Sequence, residues 1–146
     1  VSTSPDAGDR ARLLIGTDDR VQAIVRSALE LQNVAPTALL LVLLGADTTF
    51  SFKPRPSTIL VPCIPAGVIA CVPQLDEFGI ASRLASPLGL PGCHDGSVIE
   101  LAELWLTSYL RERPVVKMEM LVNAAEDIAR GVEELGRRLE LPVRSI

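Results

Sequence analysis

The sequence predicts an α+β fold built on a mostly antiparallel sheet: a meander of about four strands plus one later strand, packed with three to four helices. Three observations carry that expectation. Between residues 37 and 72, strand-like segments succeed one another with only turn residues between them, and connections that short join antiparallel neighbours. Apolar residues recur at helical spacing after Asp18 and again after Ser97. A third helical seam closes the chain at Ala125, Ile128, Val132, Leu135 and Leu139.

In chain order, Val1–Arg10 is small and polar, with Pro5 and Gly8, and reads as a flexible tail. Residues 11–146 then form a single domain. Arg12-Leu-Leu-Ile15 suits a short strand or an irregular lead-in. Thr17 offers an N-cap oxygen, and Asp18 and Asp19 place negative charge in the first turn of a helix. Val21, Ile24, Val25 and Ala28 line one face of that helix, and Asn33 precedes the stop at Pro36.

Thr37–Leu44 is a continuous aliphatic run, the pattern of a strand covered on both faces. Gly45-Ala-Asp47 turns the chain. Thr48–Lys53 alternates as a half-buried strand, ended by Pro54 and Pro56. Ser57–Cys63 and Gly67–Val72 flank Ile64-Pro65-Ala66-Gly67, which has the chemistry of a short hairpin turn. Pro62 lacks a ladder donor and places its strand at an edge or a bulge.

Pro73–Ala85 suits a short helix or a wandering segment, and 86–96 is a long irregular stretch rich in Gly and Pro. Ser97-Val-Ile-Glu100 is a capping box opening a helix that runs to about Arg111 and is apolar nearly all round. Residues 115–122 alternate like a fifth strand, although their Met, Lys and Glu residues also suit a helix. Asn123-Ala-Ala-Glu126 resembles a second cap for the last helix.

Leu13-Leu-Ile15, Thr17-Asp-Asp19 and the helix after them resemble the first strand and acidic corner of a receiver-type α/β domain. The resemblance spans about twenty residues. It does not extend to the segments read as a meander, and no strand-end Asp and Lys stand where phosphorylation would need them. The receiver reading is therefore not adopted.

Composition narrows the function classes. The 146 residues carry a net charge of −4, and only 3% are aromatic. An acidic chain with so few stacking residues is a poor nucleic-acid binder. Apolar residues make up 48%, with a mean hydropathy of +0.32. This excess implies either a very complete core or an apolar face buried against a partner. The longest strongly apolar run, 38–44, is far short of the roughly 18 residues that span a bilayer. No signal peptide is expected from the polar opening, and Cys63, Cys71 and Cys93 lack paired spacing. A cytoplasmic setting is expected, with no cofactor and no metal.

The chemistry-bearing residues gather in Pro91-Gly-Cys93-His94-Asp95-Gly-Ser97, which holds the chain's one histidine. A glycine-rich loop opening onto a helix can hold an anion or lower the pKa of a thiol. Cys93, His94, Asp95 and Ser97 are the candidate ligand-binding residues. A small enzyme centred on Cys93 and His94 is a further alternative, although sequence neighbours seldom pair as nucleophile and base. The plainer alternative is a surface turn whose Asp95 or Ser97 caps the helix. The leading expectation is a non-catalytic interaction or regulatory module. It would be a homodimer, or bind another protein, through Trp105, Tyr109, Ile128, Val132 and Leu135.

Overall fold

A computed structural model describes residues 10–36 and 38–146. Apart from Arg10, the expected tail lies outside these residues, as does Thr37 at the start of the aliphatic run. Helices and strands are both present, as expected, but the sheet is a different one. Six strands form a single all-parallel sheet: β1 (Arg10–Thr17), β2 (Leu39–Gly45), β5 (Ala81–Ser86), β6 (His94–Asp95), β7 (Lys117–Asn123) and β8 (Val143–Ser145). Their order across the sheet is β6-β5-β2-β1-β7-β8. The antiparallel meander is thus overturned; what remains of it is β3 (Arg55–Pro56) paired with β4 (Ala70–Cys71).

The reason lies in what each segment can pair with. Leu39–Gly45 is buried along nearly its whole length. Its two backbone edges bond β1, with Leu41 opposite Leu13, and β5, with Leu41 opposite Ala81. No edge is left for a hairpin partner. Segments 48–53 and 57–63 are not strands. Pro54, Pro56 and Pro62 punctuate them and cannot donate to a ladder. Residues 46–80 instead form a long crossover between two parallel neighbours. The turn at Pro65–Val68 does form, with Gly67 at φ +88° and the Val68 N–H donating to Pro65 O at 3.2 Å, but the only ladder its connection joins is the two-residue pairing of β3 with β4.

Helices cover both faces. On one lie α1 (Val21–Val34) and, within the crossover, α2 (Pro73–Glu77). Ile24, Val25, Ala28 and Leu75 meet Leu14, Leu40, Val42, Leu44 and Leu121 there. On the other lie α3 (Val98–Glu112) and α4 (Glu126–Leu139). Leu101, Trp105, Leu106, Val132 and Leu135 meet Leu13, Ile15, Leu41, Leu43, Met120 and Val122. Alternate residues of one strand feed opposite cores, and covering both faces is the usual condition of a parallel sheet.

The capping box at α3 forms as expected: Ser97 Oγ accepts from the Glu100 N–H at 3.1 Å, and Glu100 Oε1 accepts from the Ser97 N–H at 2.8 Å. The second cap does not form. β7 runs through Asn123, and α4 starts at Glu126 with Ala125 at its N-cap and no side-chain cap bond. Asn123 Oδ1 instead accepts from Arg20 at 3.3 Å.

Candidate functional site in the crevice at the carboxyl edge

In an all-parallel sheet every strand delivers its carboxyl end to the same edge. The order reverses about β1: the chain moves from β1 to β2, β5 and β6 on one side, then returns to β7 and β8 on the other. Beyond β1 the chain turns to α1 on one face, and beyond β7 it turns to α4 on the opposite face. Connections leaving neighbouring strands in opposite directions open a crevice between them, the usual ligand position in open sheets of this kind.

A cavity of about 540 Å³ occupies this edge. Thr17, Asp18 and Asp19 line it after β1, Gly45–Thr48 after β2, and Ala85 and Pro87 at the end of β5. Gly96, Ser97 and Val98 line it at the start of α3, and Ala125, Asp127 and Ile128 at the start of α4. The walls are tied together by hydrogen bonds. Thr17 Oγ1 accepts from the Ala125 N–H at 3.1 Å, joining the end of β1 to the head of α4. The same hydroxyl donates to Asp19 rather than capping a helix. Asp18 accepts from the Ser51 N–H at 3.0 Å and the Ser51 hydroxyl at 2.9 Å, holding the loop after β2.

Two glycines allow this closeness. A Cβ at Gly16 would stand 2.8 Å from Asn123 O and collide with Ile24; one at Gly45 would stand 2.8 Å from Val98 Cβ. Both strands therefore end in Gly-x-Asp: Gly16-Thr-Asp18 and Gly45-Ala-Asp47. That repeat, following two aliphatic runs, was the signal available in the sequence.

The lining chemistry is specific. Asp18, Asp19, Asp47 and Asp127 supply carboxylates, Thr17, Thr48 and Ser97 supply hydroxyls, and Val98, Ile128, Ala85 and Pro87 supply apolar surface. No lysine, arginine, histidine or cysteine is among these residues.

Of the sequence-predicted ligand residues, Ser97 lines the crevice and the others do not. Cys93 packs beside the α1-side core. His94 faces the flank of α3, in a shallow depression with Glu100, Glu103, Leu104, Thr107 and Ser108. Cys93, in the bend before β6, and His94, its first residue, are thus directed to opposite sides. Burial pushes the Cys93 thiol up, the reverse of what an activated nucleophile requires. His94 Nε2 stands 3.9 Å from Glu100 Oε1. Asp95 is exposed in β6, opposite Ser86. Among the described residues no group of three His, Cys, Asp or Glu side chains converges on a point where a metal would sit.

The side chains expected at a partner interface are covered by this chain itself. Trp105, Val132 and Leu135 are fully buried and Tyr109 nearly so. The Trp105 indole donates to Pro62 O at 2.9 Å, and its ring stacks on Tyr109 with centroids 4.6 Å apart. Ile128 is the exception, half-buried at the crevice.

Comparison with protein-family models, curated proteins and solved structures finds no match to this chain. Among the described residues no helix is long and apolar enough to cross a membrane.

Proposed function

We propose that this chain is a small-molecule-binding domain whose ligand occupies the crevice at the carboxyl edge of the sheet. The observation that carries this reading is the coincidence of the 540 Å³ cavity with the point where the strand order reverses. The volume lies in the range of pockets that bury most of a drug-sized ligand, about 300–1,000 Å³. Its mixture of an apolar wall with a few convergent polar groups is the composition such pockets have.

The interaction-module reading has less support. The apolar excess that motivated it is taken up by the two cores, one on each face of the sheet. Exposed large apolar side chains remain, among them Val34, Leu60, Leu104 and Val115.

The test is a metabolite screen read by amide chemical shifts. Ligands of the crevice move the signals of residues 17–19, 45–48, 96–98 and 125–128. Filling the cavity with Ala46→Trp, at a half-buried lining position, abolishes those shifts while the fold persists. Hits that move other residues, or that survive Ala46→Trp, refute the assignment.

A further inference from the structure

Resting on the crevice reading, we infer that its ligand carries a protonated amine on an apolar body, and that phosphorylated and carboxylated ligands are rejected. Two helices, α3 and α4, begin at the cavity, and on geometry alone their N-termini favour an anion. The side chains reverse that preference. Four carboxylates line the cavity and no basic side chain does. A helix end is worth about half a charge, so two ends offset only a fraction of four carboxylates.

The four acids are not equivalent. Asp18 is occupied by Ser51, and Asp19 is engaged by Thr17 and stands 3.6 Å from Arg20. Asp47 and Asp127 form no hydrogen bond or ion pair with the described residues. They reach the cavity from separate walls, the loop after β2 and the first turn of α4. Both are exposed, so a cationic group beside either one exchanges water for a charge-assisted hydrogen bond. Val98, Ile128, Ala85 and Pro87 then accept the apolar body. A phosphate at the same place would meet four carboxylates, of which only Asp19 has a guanidinium beside it, that of Arg20, and no basic side chain in the cavity lining.

A matched series sharing one ring tests the sign: phenethylamine, phenethyl alcohol, phenylacetate and phenyl phosphate, titrated by amide shifts. Phenethylamine is expected to bind at residues 45–48 and 125–128, more weakly as salt rises. Asp47→Asn with Asp127→Asn should weaken it at least tenfold, equivalent to about 1.4 kcal/mol, and leave phenethyl alcohol unchanged. Asp47→Asn alone, on an exposed loop, should give about a threefold loss. Tighter binding of phenyl phosphate or phenylacetate overturns the charge inference while leaving the crevice reading intact. Equal affinity of the alcohol and the amine, or an amine affinity untouched by the substitutions, does the same. If no probe moves the crevice amides, both readings fall.

Discussion

Replacing Gly45 with alanine tests how the crevice is built, because the glycine lets the head of α3 settle on the end of β2. The added Cβ would lie 2.8 Å from Val98 Cβ and 3.0 Å from Val98 Cγ1. Carbon atoms pack best at about 3.5–4.0 Å, so the two elements must part by roughly 1 Å. No rotamer of Val98 relieves a contact between two Cβ atoms, and both Gly45 and Val98 are buried. Overpacking of this kind costs about 1–3 kcal/mol. Alanine recovers about 0.4–1 kcal/mol by restricting the unfolded chain, leaving a net loss between about 0 and 2.6 kcal/mol. Urea unfolding measures it directly, since Trp105 is the one tryptophan and is fully buried. Val98→Ala removes Cγ1 and Cγ2 while retaining Cβ, which frees the first turn of α3 to slide. In that background the cost of Gly45→Ala should therefore fall by at least about 0.5 kcal/mol without vanishing. A stabilising Gly45→Ala, or the same effect in both backgrounds, would refute the close approach of β2 and α3.

Two further predictions concern the crossover between β2 and β5. The buried Arg83 guanidinium donates to Ile59 O at 2.6 Å, Ser82 O at 2.7 Å and Val68 O at 3.2 Å, tying residues 59–68 to β5. Arg83→Met leaves those carbonyls unsatisfied, at about 1–3 kcal/mol for each that water does not reach. Hydrogen exchange should show residues 57–68 losing protection before β1 and β2, and a uniform loss would contradict the clamp. At Asp76, burial alone would raise the carboxyl, but hydrogen bonds from Ser57 and Thr58 outweigh it and hold it below its ordinary value. A depressed folded pKa contributes stability above the unfolded value of about 3.9, and that contribution disappears as pH falls through the folded one. Denaturation midpoints between pH 5 and 2 should therefore decline less steeply for Asp76→Asn than for the native chain, and parallel declines would rule the linkage out.

The elements with strong local signals were legible: α1, α3 with its capping box, α4, the aliphatic β2 and the alternating β7. Those that failed share a physical cause. β5, Ala-Ser-Arg-Leu-Ala-Ser, has the composition of a loop, yet all six residues are buried. Ser82 Oγ accepts from the Val72 N–H at 2.9 Å, and Arg83 is satisfied by carbonyls from other segments. Partners that make a serine and an arginine tolerable inside are distant in sequence, so no local pattern announces them. β6 and β8 have only two and three residues and exist because a longer strand offers an edge. Conversely, 48–53 has strand periodicity but no free neighbour. Periodicity reports which side of a segment is buried; pairing depends on which edges remain open.

Misreading the direction of the sheet also displaced the site. In a meander the strand ends alternate between two edges, so the stretches at 16–18, 45–47 and 124–127 would have had no reason to meet. In a parallel sheet all three lie at one edge, and acidic residues that looked like helix-dipole decoration or a simple turn become the lining of a cavity. Asp127 illustrates the change: in the first turn of α4 it needs no explanation beyond the dipole, yet it lines the same cavity as Asp47. In the chemically rich loop at 91–97, by contrast, Gly96 and Ser97 alone reach the crevice, while Cys93 and His94 part to opposite faces by the short edge strand β6. The proposed ligand of the crevice, whose lining holds no histidine or thiol, would be held by charge and shape, through the carboxylates of Asp47 and Asp127.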